Sequence, residues 1–273
     1  MVYLKQSEVL FFYMVSVKRV ISKFRRIYEG KFLFRCFALI ATVCLWIFVP
    51  EQFDVMSGWN FFKEFSVFHF LWAIWIFDML LQIFPSRKYL PLGSSKFSLK
   101  DFVPREIKNI KNLENLLAYI KKCNRDTLKI GFVWFALISV IAALYFAGII
   151  GKNMLLVFSV AFYVCDLICV LFWCPFRVWF MKNRCCTTCR IFNWDHMMMF
   201  SPIVFVPGFF TWSLCAGAII VLVIWEVSFA LHPERFYEGT NEALKCSTCT
   251  DVLCGKRNCA ADIPDFDNIT KGI

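Results

Sequence analysis

Apolar residues in this chain gather into unbroken runs; they do not recur as the one-sided stripe of a soluble helix. Crossing about 30 Å of hydrocarbon at 1.5 Å per residue takes roughly 20 mainly apolar residues. Five runs approach or exceed that length: Leu33–Val49, Phe65–Phe84, Ile130–Ile150, Met154–Cys174 and Ile203–Ala230. The first is short and is expected to borrow Phe32 and Arg35, whose guanidinium can snorkel to the interface. The last is long enough for Pro207-Gly208 to set its first turn aside as an interfacial segment. None alternates with polar residues as a membrane barrel strand does. The pattern predicts an all-α integral membrane protein, a polytopic bundle of about five transmembrane helices.

Two stretches do show helical amphipathicity. In segment 1–32, Val17, Val20, Ile21, Phe24 and Ile27 oppose Lys18, Arg19, Lys23 and Arg26, which predicts a basic helix lying on anionic lipid head groups. In segment 85–129, Pro104 fits a first helical position. Ile107, Ile110, Leu113, Leu117 and Ile120 form the apolar face, and Lys121-Lys122 close the helix. The apolar stretch Val9–Val17 has its basic residues behind it, the reverse of a cleavable signal peptide, so none is expected.

Composition agrees with a lipid solvent. Apolar residues make up 59% of 273 positions and aromatics 19%, against roughly 45–50% apolar for soluble domains. The net charge of +10 is distributed unevenly. Segment 1–32 has seven Lys and Arg, segment 85–129 eleven and segment 175–202 four, whereas 50–64 and 151–153 have one each. Threaded through five spans, this bias predicts a cell-membrane protein with a cytosolic N-terminus and an extracytoplasmic C-terminus. The transmembrane units are then 33–84, 130–174 and 203–230, joined by cytosolic loops 85–129 and 175–202 and followed by a Cys-rich tail, 231–273. Because the basic residues flank spans and form no patch with exposed aromatics, the expected partner is the bilayer and no nucleic acid.

Cysteine supplies the candidate chemistry. Cys185, Cys186 and Cys189 precede Asp195-His196 and a methionine triad. Cys186 and Cys189 have the CxxC spacing that lets two thiolates meet one tetrahedral ion; Cys185 and His196 can complete the set, with Asp195 as ligand or orienting group. Acylated or inert juxtamembrane thiols explain the same residues. Cys246, Cys249, Cys254 and Cys259 supply four thiols within fourteen residues, enough for zinc or an iron–sulfur cluster. In an extracytoplasmic tail two disulfides are the simpler account, since so small a segment needs staples. The Asn268-Ile269-Thr270 sequon is consistent with exposure there.

Ionisable groups within spans are costly and tend to be functional. Asp78 and Asp166 fall in the cytosolic half of their spans, near Cys165 and Cys169, which share a helix face just before Cys174-Pro175. Glu226 and His69 are expected nearer the outer face. Walker, GxSxG, HExxH and dinucleotide-binding fingerprints are missing, so nothing supports an ATPase, a hydrolase or a zinc protease. Three readings remain: a metal-handling or transporting protein, an oxidoreductase relaying electrons or thiol equivalents between the cysteine clusters, and a structural scaffold.

Overall fold

The computed structural model describes residues 23–84, 96–98, 101–105, 110–183, 185–245, 249 and 253. They are helical, with no strands among them. The main helices are α1 (Lys23–Phe48), α2 (Phe68–Ile83), α3 (Ile110–Phe146), α4 (Lys152–Leu171), the short α5 (Asp195–Phe200) and α6 (Phe209–Leu231). Four of them, α1, α3, α4 and α6, are long and apolar enough to cross a membrane. At 16 residues, about 24 Å, α2 falls short of the five-span expectation.

Both predicted amphipathic helices are affected by this arrangement. Residues 17–21 lie outside the described residues, while Phe24 and Ile27 already belong to α1. The helix expected in segment 85–129 is continuous with the third span, giving α3 its 37 residues. Pro104 is not at its start. It makes an extended bridge with Asn241 in the tail, and having no N–H of its own it leaves the neighbouring amides of Val103 and Arg105 to bond across.

The course of the chain after α4 changes the topology. From Asp195 the chain climbs through α5 and the tight 3₁₀ turn Ser201–Phe205, ending where Gly208 pairs with Gly58 in the α1–α2 connection. Trp194 donates from Nε1 to Glu226 at 2.8 Å, and Glu226 lies seventeen residues along α6 from Phe209, about 25 Å. This short segment therefore runs back alongside α6, and α6 runs the other way from the sequence expectation. Its far end packs Trp225 and Phe229 around Phe236, which stacks on Phe97 of the α2–α3 connection at 4.5 Å. Leu253 of the tail is buried with Tyr28 of α1 and with Leu167 and Leu171 of α4.

The described part of the tail and the start of α1 thus share one face, called here the terminal face, where the five-span expectation puts them on opposite sides. A count of five spans gave the wrong parity because the return segment is too short and irregular to register as a span. Irregular backbone at this depth is tolerated because protein surrounds it: His196, Met198, Met199, Phe200 and Ile203 are all buried.

Association of helices in lipid depends on close packing, since water expulsion drives little there. Trp75 of α2 is fully buried, edge-on to Phe200 at 5.0 Å and to Tyr163 at 5.8 Å. Gly217 of α6 admits Met79; a Cβ there would come within 2.9 Å of its methyl carbon. On the face away from the termini, Lys152 joins Asp54 at 2.6 Å, and Trp59, Phe61, Phe62 and Phe209 form an aromatic cluster suited to a bilayer interface. On the terminal face, the fully buried Asn241 donates to Lys96 and Arg235 carbonyls and accepts from the Val103 and Ala243 amides. This hydrogen bonding holds the first part of the tail in place.

Candidate functional site

Two adjoining cavities lie within the bundle on the side of the terminal face, and Asp166 and Asp195 line both. The smaller, about 40 Å³, is walled by charge. Arg35 of α1 donates from one guanidinium nitrogen to Asp166 at 2.6 Å and to the Tyr163 carbonyl at 2.7 Å, and its guanidinium carbon lies 3.7 Å from the centre of the Tyr163 ring. The expected snorkelling of Arg35 does not occur. The side chain is buried because α4 presents a carboxylate one helical face away, and an ion pair is the better solution inside a bundle.

Asp78 accepts from the Tyr163 hydroxyl at 3.0 Å. Gln82 at the end of α2 donates to Asn193 at 3.1 Å and to Asp195 at 3.0 Å, and Asp195 in turn holds His196 at 3.2 Å. Lys31 completes the wall. Asp78 and Asp166, singled out from sequence as intramembrane carboxylates, thus line one cavity with His196. The sequence reading missed Gln82, Asn193 and Tyr163, whose polar groups look unremarkable until the return segment is placed.

The larger cavity, about 120 Å³, collects thiols. Cys169 arrives on the last turn of α4. Pro175 then opens the turn Phe176–Met181, suiting a position where a missing N–H costs nothing. Cys174 precedes it, and its sulfur accepts from the Arg177 amide at 3.4 Å in the manner of a helix N-cap. The Cys186 thiol reaches the Cys169 carbonyl at 3.0 Å. The Cys169 thiol hydrogen-bonds to Cys174, and the one Cys186 hydrogen is shared between Cys174 and the Cys169 carbonyl; together with the amides of Arg177 and Phe176 these contacts hold the Cys174 thiol well below its usual range. The same bond to Cys174, followed by burial, pushes Cys186 strongly up. Burial pushes Cys189 up to about 12. Cys174 is therefore the thiol of the set that ionises most readily, because it accepts while its neighbours donate.

The CxxC turn expected at Cys186–Cys189 forms, with the Cys189 amide bonded to the Cys186 carbonyl at 3.0 Å, and both residues line the thiol cavity. Cys185 lines neither cavity; its thiol meets the Thr187 hydroxyl at 3.1 Å. His196 turns to Asp195 and the charged cavity, while Cys186 turns to Cys169 and Cys174. Among the described residues no group of three or more His, Cys, Asp or Glu side chains is arranged to hold a metal ion.

Cys165 is exposed on α4 at the rim of the thiol cavity. Of the second cluster, Cys249 lies 3.7 Å from the Lys96 ammonium, and Cys246, Cys254 and Cys259 lie outside the described residues, as does the sequon. Glu226 pairs with Arg190 at 2.5 Å towards the terminal face, a correction that follows from the reversed α6, whereas His69 does sit away from it, between the Ser66 and Phe61 carbonyls. Compared with known proteins, the chain matches no protein-family model, no curated protein and no solved structure.

Proposed function

We propose that the protein is a membrane-embedded thiol oxidoreductase whose working couple is Cys174 with Cys186. The observation that carries this reading is the convergence of Cys169, Cys174 and Cys186 into one hydrogen-bonded set with a single favoured thiolate. Thiol–disulfide exchange needs an attacking thiolate and a second thiol within reach to resolve the mixed disulfide. In the reducing direction, Cys174 attacks one sulfur of a substrate disulfide and expels the other as a thiolate. That leaving thiolate takes the Cys186 proton, and Cys186 attacks the Cys174 sulfur, releasing the second substrate thiolate. Two protein thiols become one disulfide, and one substrate disulfide becomes two thiols.

The basic residues of segments 1–32 and 85–129 favour a cytosolic terminal face resting on anionic lipid, which makes both chain ends cytosolic. The tail cysteines then share a reducing compartment with the couple, which weakens the case for tail disulfides. Titrating the purified protein through a series of glutathione potentials, with alkylation and peptide mapping at each, tests the proposal. A two-electron transition linking Cys174 to Cys186 is expected; a Cys174 that stays alkylatable at every potential overturns it.

Met198 and Met199 on the cavity wall beside the thiols favour a second reading, a soft-ion site for Cu(I) of low coordination number, since among the described residues no three of the thiols are arranged around one point. Metal bound in proportion to protein and lost in Cys186→Ser supports that reading over the first. Neither metal nor a redox transition leaves a scaffold.

A further inference from the structure

The thiol cavity has a shape and an opening that bear on what exchanges electrons with it. Its rim includes Trp134 of α3 together with Phe162 and Cys165 of α4, all within helices long and apolar enough to cross a membrane. Cys165 is exposed there, so the mouth faces hydrocarbon. Trp134 leans on the return segment, donating to the Ser201 hydroxyl at 3.1 Å, and this holds its ring edge-on to Phe162 at 5.0 Å and to Phe176 at 6.4 Å. Met198 and Met199 close the back. The polar groups on the wall are the thiols and the two shared carboxylates, Asp166 and Asp195. A volume of about 120 Å³ is comparable to the roughly 150 Å³ apolar cavity that accommodates benzene. That volume suits one six-membered ring better than a fused pair.

We propose that this cavity takes the ring of a lipid-soluble benzoquinone, its aliphatic tail leaving past Cys165 into the bilayer, and that the quinone oxidises the Cys174–Cys186 couple. The proposal rests on the thiol reading above, run in its oxidising direction. Substrate dithiols reduce the Cys174–Cys186 disulfide by the reverse of the exchange given there, and the quinone, its membrane-phase oxidant, re-forms that disulfide. The Cys174 thiolate adds to a ring carbon, forming a carbon–sulfur bond and placing negative charge on the ring oxygens. Cys186 then attacks the Cys174 sulfur; the sulfur–sulfur bond forms as the carbon–sulfur bond breaks, and the bonding pair departs with the ring. The ring leaves as hydroquinone carrying two protons. One comes from the Cys186 thiol, and the other, which Cys174 had given up on ionising, is returned from water on the terminal face through Asp195. Two thiols lose two electrons and the quinone gains two.

The test uses the full-length reduced protein, purified in detergent without oxygen. A decyl-substituted benzoquinone, a decyl-substituted naphthoquinone and the water-soluble oxidant diamide are supplied separately, with absorbance following the quinones and peptide mapping following the disulfide. Benzoquinone is expected to be reduced as the Cys174–Cys186 disulfide forms, naphthoquinone to react far more slowly, and Cys174→Ser to stop both. In Cys165→Trp, which plugs the mouth, the ratio of benzoquinone-driven to diamide-driven oxidation is expected to fall by about tenfold. Equal rates for the two quinones, or an unchanged ratio in Cys165→Trp, overturn the assignment. A disulfide that forms with diamide but not with benzoquinone overturns the quinone and leaves the thiol couple standing; one that forms with neither removes both.

Discussion

Replacing Arg35 by methionine probes how the charged cavity is held together. The guanidinium makes two charge-assisted bonds, to Asp166 and to the Tyr163 carbonyl, and the ion pair is largely shielded, with Arg35 10% and Asp166 24% exposed. Removing one partner of such a pair costs about 3–5 kcal/mol, mostly because the remaining charge stays buried without compensation. Loss of the contact with the Tyr163 ring adds about 0.5–2 kcal/mol. The Tyr163 carbonyl adds little, because it sits inside α4 and keeps its place in the helix.

The single variant is therefore expected to lose about 3.5–7 kcal/mol, a large share of the 5–15 kcal/mol typical of a folded domain. The double variant Arg35→Met, Asp166→Leu is expected to recover most of that loss, since replacing both members of a buried pair by apolar groups is often close to neutral. Reversible unfolding in mixed detergent, run as a double-mutant cycle, measures the coupling directly. A single variant within about 1 kcal/mol of the parent, or two single effects that simply add, would refute the reasoning.

The other expectations concern the topology and the thiols. Alanine at Gly208 would place a Cβ 2.0 Å from the Met56 carbonyl oxygen, separating the return segment from the α1–α2 connection and breaking the bonds Gly58 N to Pro207 O and Phe209 N to Gly58 O. A loss of about 1–3 kcal/mol follows, read by the same unfolding assay, and an unchanged midpoint would contradict the close approach. Tags on the two chain ends, probed by an impermeant quencher in sealed vesicles, are expected to respond from the same side; opposite responses would break the reversed α6. Site-resolved alkylation of Cys174 is expected to stay flat from about pH 6 to 8, because its thiolate is already formed, while an ordinary thiol speeds up nearly tenfold per unit in that range. A rate at Cys174 that climbs with pH like the other thiols would remove it as nucleophile.

Fold class and most helices were legible because lipid forces an apolar run of defined length on every long span, and α1, α3, α4 and α6 all carry one. Parity was not legible. The return segment Asp195–Val206 runs alongside α6 without that length, packed against α4 and α6, so no hydropathy window isolates it. With the wrong parity, Glu226 was assigned to the wrong face, and the tail was separated by a membrane from residues it touches. At the thiol site, the CxxC turn and the Cys165/Cys169 spacing were visible, as was Cys174-Pro175. Their grouping was not: spacing linked Cys186 to Cys185 and His196, whereas the turn opened by Pro175 directs Cys174 towards Cys186 and Cys169. The signal available was the ionisable content of the runs, since Arg35 and Asp166 each carry a charge that no lipid-facing position would accept.

The short return segment also constrains how the protein is made. Twelve or so residues beginning with Asp195-His196 cannot enter a bilayer as an independent span, which takes roughly 20 apolar ones. They need α6 as the other arm of a hairpin, and they need Asp78, Gln82 and Asp166 already in place to receive their polar end. Biosynthesis is therefore ordered. The helices α1 to α4 must be inserted and packed before the last hairpin can follow, and nascent chains released before Leu231 should leave Asp195–Phe205 open to protease from the terminal face. The hairpin closes the bundle, and the thiol cavity gains its Asp195, Met198 and Met199 wall only in that final step.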